Sequence, residues 1–300
     1  MSVIENTLKR LQGQRAAAGA ASAAAYVAVS PAGAAARRRG SGDAALAEPA
    51  IAIDHEGLRA AGMLPPAHQE HEVSQEYRRI KRPLINSALG RGVTPLPHGN
   101  LVMITSAVPG EGKTFMSLNL AFSIRLEEDV TVLLVDGDVV NPRVSQILGV
   151  ENAQGLLDLL KDSTLSVASA ILPTDVPGLS FLPAGRQDAN ATELLASARM
   201  QAVMAQLGSA DPARVVLFDS APLLVTTEAQ ALAHFAGQVL VVVGADRTPQ
   251  SVLLDALDTL DEGKPVSLVL NQSLRPASGY HYQYGVNARP REQERQPDSR

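Results

Sequence analysis

Leu101-Val-Met-Ile-Thr-Ser-Ala-Val-Pro-Gly-Glu-Gly-Lys-Thr114 reads as three segments in succession. Leu101 to Thr105 is an unbroken apolar run, which suits a strand buried on both faces. Ala107 to Gly112 is a loop punctuated by one proline and two glycines, and Lys113-Thr114 opens a stretch with helical spacing. The stretch fits a phosphate-binding loop, with alanine at the position of the usual first glycine. Gly110 and Gly112 let the backbone turn its N–H groups toward phosphate oxygens, and the following helix adds the positive end of its dipole. Val108, Pro109, Gly110, Glu111, Gly112, Lys113, Thr114 and Phe115 are therefore the candidate nucleotide-binding residues. Lys113 is expected to reach the β- and γ-phosphates, and the Thr114 hydroxyl to ligate Mg²⁺.

Outward from this stretch the chain alternates. Apolar runs recur at Val130–Val135, Leu179–Leu182, Val215–Phe218, Val239–Val243 and Val266–Leu270. Helical spacing separates them at Thr114–Leu126, Ala191–Leu207 and Pro249–Leu260. The fold class that follows is α/β, a three-layer α/β/α arrangement of the P-loop NTPase type with a mainly parallel sheet. Asn190 with Glu193 has the spacing of a capping pair, and Thr248-Pro249 reads as an N-cap followed by proline at the first helical position.

Two more polar sites sit at strand ends, where open parallel sheets place ligands. VLLVDGD ends with Asp136 and Asp138 flanking a glycine, and VVLFDSAP carries Asp219. An aspartate after a strand often serves only as a turn or cap residue. Three at two strand ends beside a phosphate loop point instead to direct or water-mediated Mg²⁺ ligation. One of the first pair could also accept a proton from an attacking hydroxyl. Asn271 closes the last strand in VLNQ; an adenine-edge contact and a plain turn residue both fit it.

The rest of the chain is less regular. With a net charge of −5 over 300 residues, composition offers no electrostatic case for nucleic acid. The absence of cysteine excludes disulfides and thiolate metal sites. No apolar run approaches the roughly 20 residues of a membrane span, and Ala16–Ala36 lacks the apolar core of a signal peptide. SVIENTLKRL near the N-terminus has helical spacing. Gln12–Gln69, with Arg37-Arg38-Arg39, is rich in Ala, Gly, Pro and Arg and reads as a mostly disordered linker. A helix is predicted from Glu72 to a stop at Pro83, with Glu76, Arg79 and Arg82 near one face. The predicted organisation is thus a short helix and linker over residues 1–70, a nucleotide-binding domain over 71–275, and a flexible polar tail over 276–300. That tail holds Tyr280, Tyr282 and Tyr284, three of only five tyrosines in the chain.

These motifs together resemble those of the bacterial tyrosine kinases, or BY-kinases. Ala107–Thr114 resembles their Walker A motif, Val132–Asp138 their second aspartate-rich motif and Val215–Asp219 their Walker B motif. Tyr280, Tyr282 and Tyr284 match, sparsely, the family's terminal tyrosine cluster. Glu76, Arg79 and Arg82 match its E-x-x-R-x-x-R assembly helix. The wording of PGEGKTF, LPAGRQDANATELLAS, TTEAQAL, ADRTPQSV and VLNQ, within Val73–Gln272, is similar to the exosortase-associated tyrosine autokinases of exopolysaccharide operons. SVIENTLKRL is similar to that subgroup too.

The resemblance implies autophosphorylation of the tyrosine tail from Mg-ATP, between neighbouring subunits of a homo-oligomeric ring. In that reading Lys113 holds the phosphates, and Thr114, Asp138 and Asp219 form the Mg²⁺ shell. Asp136 is the base or polarising group for the tyrosine hydroxyl. The implied partner is a membrane adaptor of the polysaccharide co-polymerase type on a separate chain. That would place a cytoplasmic protein peripherally at the inner membrane. Two departures stand out: Val140 occupies the position of a frequent arginine, with Arg143 three residues further on, and Ser220-Ala221-Pro222 follows the Walker B motif. Two rivals fit the same loop. A partitioning or septum-site switch ATPase would carry a lysine where Val108 stands and a glycine where Pro109 stands. A nucleotide-bound scaffold of the export complex would show little kinase activity.

Overall fold

The computed structural model describes residues 51–273. The predicted N-terminal helix, the predicted linker up to residue 50 with its three arginines, and Tyr280, Tyr282 and Tyr284 lie outside the described residues. Seven strands form one sheet: β1 (Leu101–Ser106), β2 (Thr131–Asp136), β3 (Leu172–Pro173), β4 (Leu179–Leu182), β5 (Arg214–Asp219), β6 (Gln238–Gly244) and β7 (Val266–Asn271). Their spatial order is β3-β4-β2-β5-β1-β6-β7, and every neighbouring pair is parallel except β3 with β4. The short β3 carries no apolar run and is not predicted from the sequence.

The unbroken apolar strands are explained by burial on both faces. Along β1, Leu101 and Met103 join a core on one side of the sheet, while Val102 and Ile104 join a second core on the other. The helices divide accordingly. The second core is covered by α1 (His55–Ala60), α2 (Glu70–Leu89), α3 (Lys113–Ile124) and α4 (Arg143–Ile147). The first is covered by α5 (Leu156–Lys161), α6 (Val167–Ala170), α7 (Ala191–Leu195), α8 (Ala198–Ser209), α9 (Thr227–Phe235) and α10 (Gln250–Leu257). Every residue of α3 from Phe115 to Ile124 is buried, as suits a helix enclosed between the sheet and α2.

Four local expectations are corrected. First, α2 passes through Pro83 and ends at Gly90 in the left-handed conformation. Pro83 and Arg79 are both on the exposed side, so the carbonyl that loses its donor there can turn to water. Val73, Tyr77, Lys81, Leu84 and Ile85 meanwhile hold the other side in place. Lys81 donates to the Ser123 carbonyl at 2.8 Å and pairs with Glu127 at 2.6 Å, fastening α2 to the end of α3. Second, order reaches back to residue 51, inside the predicted linker. Ile51 bridges to Thr174, and Ile53, Leu58 and Leu64 enter the second core. Third, Ala191–Leu207 is two helices, because Ser197 caps a new one by accepting the Met200 N–H. Asn190 makes no side-chain cap. Fourth, Pro249 is itself the N-cap of α10, and Thr248 is used elsewhere.

Candidate active site

The loop between β1 and α3 stands at the carboxyl edge of the sheet, beside the ends of β2, β5, β6 and β7. Gly112 has φ +91°, a conformation that side chains other than glycine's seldom adopt. A Cβ there would also collide with the Asn271 amide. The first-turn N–H groups of α3, starting at Lys113, have no carbonyl within the helix to bind, so they are available to an anion. Lys113 and Thr114 are both partly buried at this helix start.

Asp219 lies directly behind the loop. Its Oδ2 accepts the Thr114 hydroxyl at 2.8 Å and its Oδ1 accepts the Ser117 hydroxyl at 2.8 Å. Ser117 is one helical turn beyond Thr114, so the i, i+3 spacing was the signal that would have found it. The parallel register sets Asp136 opposite Asp219 across β2 and β5. Gly137 closes this corner by donating its N–H to the Asp219 carbonyl at 2.7 Å. A Cβ on Gly137 would come within 3.0 Å of that oxygen and 2.8 Å of Leu232. Asp136 Oδ2 accepts both the N–H and the hydroxyl of Ser145, at 2.7 and 2.8 Å, whereas its Oδ1 is buried and has no hydrogen-bond partner among the described residues. Nothing local in the sequence links Ser145 to a carboxylate nine positions earlier. Asp138 is half-buried and accepts the Asn141 N–H at 3.0 Å.

The electrostatics follow from this enclosure. Burial pushes Asp136 up to about 7, helped by the Asp219 charge and opposed by the two Ser145 hydrogen bonds. Burial likewise pushes Asp219 up to about 6, against the pull of Ser117, Thr114 and Lys113. Asp138 is raised for the same first reason. Lys113 is lowered by burial, and the charges of Asp219, Asp138 and Glu111 oppose that shift. The corner therefore gathers acids in a dry environment with one partly buried lysine, an arrangement that a cation and a polyanion arriving together would relieve.

On the other side of the loop, Glu111 is buried and turned away from the phosphate side. Its Oε2 accepts the Val108 N–H at 2.9 Å, and its Oε1 accepts the Gly244 N–H at 2.8 Å and the Thr248 hydroxyl. The Val108 N–H is thus committed to Glu111. Asn271 donates to the Glu111 carbonyl at 2.7 Å, and Gln272 to the Gly110 carbonyl at 2.9 Å. Of the two readings open for Asn271, neither describes this contact: it braces the loop. Gln272 and Thr248 were missed because their partners lie more than 100 residues away. Arg143 and Val140 are both exposed, and Val140 joins the site only through a backbone hydrogen bond to Asp138.

With this geometry in view, the chain was compared with known proteins. No protein-family profile matches it. It is 30% identical over 216 residues to the tyrosine-protein kinase YwqD of Bacillus subtilis, spanning 71% of this chain and 86% of that protein. The chain belongs to the bacterial tyrosine kinase family. Another BY-kinase relative, the tyrosine-protein kinase wzc of Salmonella typhimurium, is 32% identical over 191 residues. That match covers 62% of this chain but 26% of wzc, and the chain spans about a quarter of the length of several such curated relatives. The kinase domain of the Escherichia coli tyrosine kinase ETK superposes with a TM-score of 0.59 over 71% of this chain and 80% of that one. At 24% identity that likeness shows the shared BY-kinase fold.

Proposed function

We propose that this chain is an ATP-dependent protein-tyrosine autokinase of the exosortase-associated type, acting in exopolysaccharide production. The observation that carries the reading is the meeting of Lys113 and Thr114 with Asp136, Asp138 and Asp219 at one sheet edge. It occurs in a chain related to proteins named tyrosine-protein kinases and carrying three tyrosines within five positions. The acceptors are Tyr280, Tyr282 and Tyr284, presented by a neighbouring subunit.

The oxygen-only donor set suits a hard cation, and the partnerless Oδ1 of buried Asp136 is a place where positive charge is wanted. Thr114, Asp138 and Asp219 are the residues that would hold Mg²⁺. When bound, Mg²⁺ neutralises phosphate oxygens and orients the triphosphate. Lys113 and the N–H groups of the α3 start hold the β- and γ-phosphates. The tyrosine oxygen attacks the γ-phosphorus, the bond to the bridging β–γ oxygen breaks, and ADP leaves. The phenolic proton passes to a carboxylate at the end of β2. Asp136 has the raised basicity for that role near neutral pH, while half-exposed Asp138 is the group an incoming hydroxyl meets first.

Ring assembly through α2 is part of the same proposal. Arg79 and Arg82 are exposed and Glu76 is partly buried, which leaves the arginines open to a neighbour. The adaptor would be a membrane co-polymerase on another chain that recruits the kinase to the inner membrane. Among the described residues no helix is long and apolar enough to cross a membrane.

The test is purified full chain with Mg-ATP, probed for phosphotyrosine, with and without a co-expressed adaptor. Signal from the wild type is expected, with none from Lys113→Met or from the combined Tyr280→Phe, Tyr282→Phe and Tyr284→Phe variant. A silent wild type in both conditions overturns the reading and favours a nucleotide-bound scaffold.

A further inference from the structure

Glu111 occupies a position where the phosphate-loop pattern allows any residue. Its side chain nevertheless accepts three hydrogen bonds. Glu111 is 3% exposed. Among the described residues no cation forms a salt bridge with it, and Lys113 acts on it only at longer range. A buried carboxylate without a counter-ion is costly unless donors fill its lone pairs. Three donors do so, and they come from two separate segments. The Val108 N–H belongs to the loop itself, while the Gly244 N–H ends β6 and the Thr248 hydroxyl belongs to the turn that follows.

The loop's carbonyls show the complementary arrangement. A loop that aims its N–H groups at an anion must turn carbonyls outward. The carbonyls of Gly110 and Glu111 are met by Gln272 and Asn271 at the end of β7. Arg247 in turn donates to Gln272 Oε1 at 2.7 Å. Both sides of the turn are thus held before any ligand arrives, one by a carboxylate collecting N–H and O–H donors, the other by two amides.

We propose that Glu111 is a positioning residue that presets the phosphate loop, with Thr248 as its outer anchor and Asn271 and Gln272 as its carbonyl clamps. Its removal then weakens grip on the β-phosphate, because the loop must be ordered at the moment of binding. The inference rests on reading Ala107–Thr114 as a phosphate loop, and it is independent of whether a tyrosine is the acceptor. It also ties the nucleotide site to the chain just ahead of the tyrosines, since Gln272 stands eight positions before Tyr280.

Glu111→Gln is the sharpest probe. Its amide oxygen can still accept from Gly244 and Thr248, but its NH₂ faces the Val108 N–H and leaves that donor unpaired. Titration calorimetry on the full chain would compare Mg-ADP with AMP, alongside melting temperature without ligand. The expected result is an Mg-ADP Kd raised about tenfold, with AMP binding changed less than about twofold, the scale of one unsatisfied buried donor. Thr248→Val, which removes one hydroxyl donor and keeps the backbone contacts, should raise the Mg-ADP Kd about threefold. A lower melting temperature with unchanged Mg-ADP affinity in both variants would mean a merely structural brace and overturn the proposal. If Glu111→Gln does not fold, Thr248→Val decides alone, and unchanged affinity there overturns it. A wild type that binds Mg-ADP no better than AMP would sink the phosphate-loop reading beneath it, a distinguishable failure.

Discussion

The two shoulders of the loop are built on opposite principles. On the β2–β5 side, Asp136, Asp138 and Asp219 are enclosed close to one another and pushed up in pKa, and one carboxylate oxygen has no partner. On the β6–β7 side, Glu111, Thr248, Asn271 and Gln272 are joined through hydrogen bonds that fill the Glu111 carboxylate and two loop carbonyls. The first shoulder carries an electrostatic cost that a metal-bound nucleotide would relieve. The second carries geometry and asks nothing of the ligand. Chemistry belongs where the charges are unsettled, and shape where the polar groups are satisfied.

Substitutions should therefore behave differently on the two sides. The largest effect is expected for Asp219→Asn, which should lower phosphotyrosine formation about 100-fold or more. Its melting temperature without ligand should not fall, because a costly buried charge has been removed. A large loss of stability instead would mean that Asp219 is chiefly a structural anchor for Thr114 and Ser117.

Next comes pH. Asp136 and Asp219 are raised in the folded state, so the fold binds more protons than the unfolded chain between about pH 4 and 7. Stability is therefore fully present below the unfolded carboxylate range and declines as pH rises through about 6 to 7. The full decline for Asp136 is on the order of 4 kcal/mol. Melting curves without ligand should fall from pH 5 to pH 8. Asp136→Asn should flatten that slope; an unchanged slope in Asp136→Asn would break the contrast.

Gly112→Ala tests where the shoulders meet. The left-handed backbone costs a side chain about 1–3 kcal/mol, and the added carbon also displaces the Asn271 amide. Differential scanning calorimetry and Mg-ADP titration should both register the loss. Smallest of all is Gln272→Ala, which removes the exposed hydrogen bonds to Gly110 and from Arg247 and should weaken Mg-ADP about threefold at most. It should leave the pH slope untouched.

Much of this was legible in the chain. The strand, glycine loop and Lys-Thr pair are consecutive, and so are the aspartates that end β2 and β5, because each depends on local periodicity and local turn chemistry. Legibility failed where packing outvoted local preference. Pro83 sits inside a helix because five neighbours are buried on the far side. Residues 51–69 looked like linker by composition, yet Ile53, Leu58 and Leu64 reach the core. The Thr248 hydroxyl, read as a cap, is spent on Glu111.

By itself the sequence determined the α/β class, the succession of strand, glycine loop and Lys113-Thr114 helix start, and the presence of aspartates at two strand ends. Those follow from spacing within a dozen residues. Only the tertiary structure decided what stands behind the loop. Thr114 meets Asp219 across 105 positions, Glu111 meets Gly244 across 133, and Asn271 meets the Glu111 carbonyl across 160. Such contacts have no periodicity to read. They exist because a parallel sheet brings the ends of β5, β6 and β7 to the edge where β1 releases its loop, and buried polar groups there must find whichever partners that edge provides.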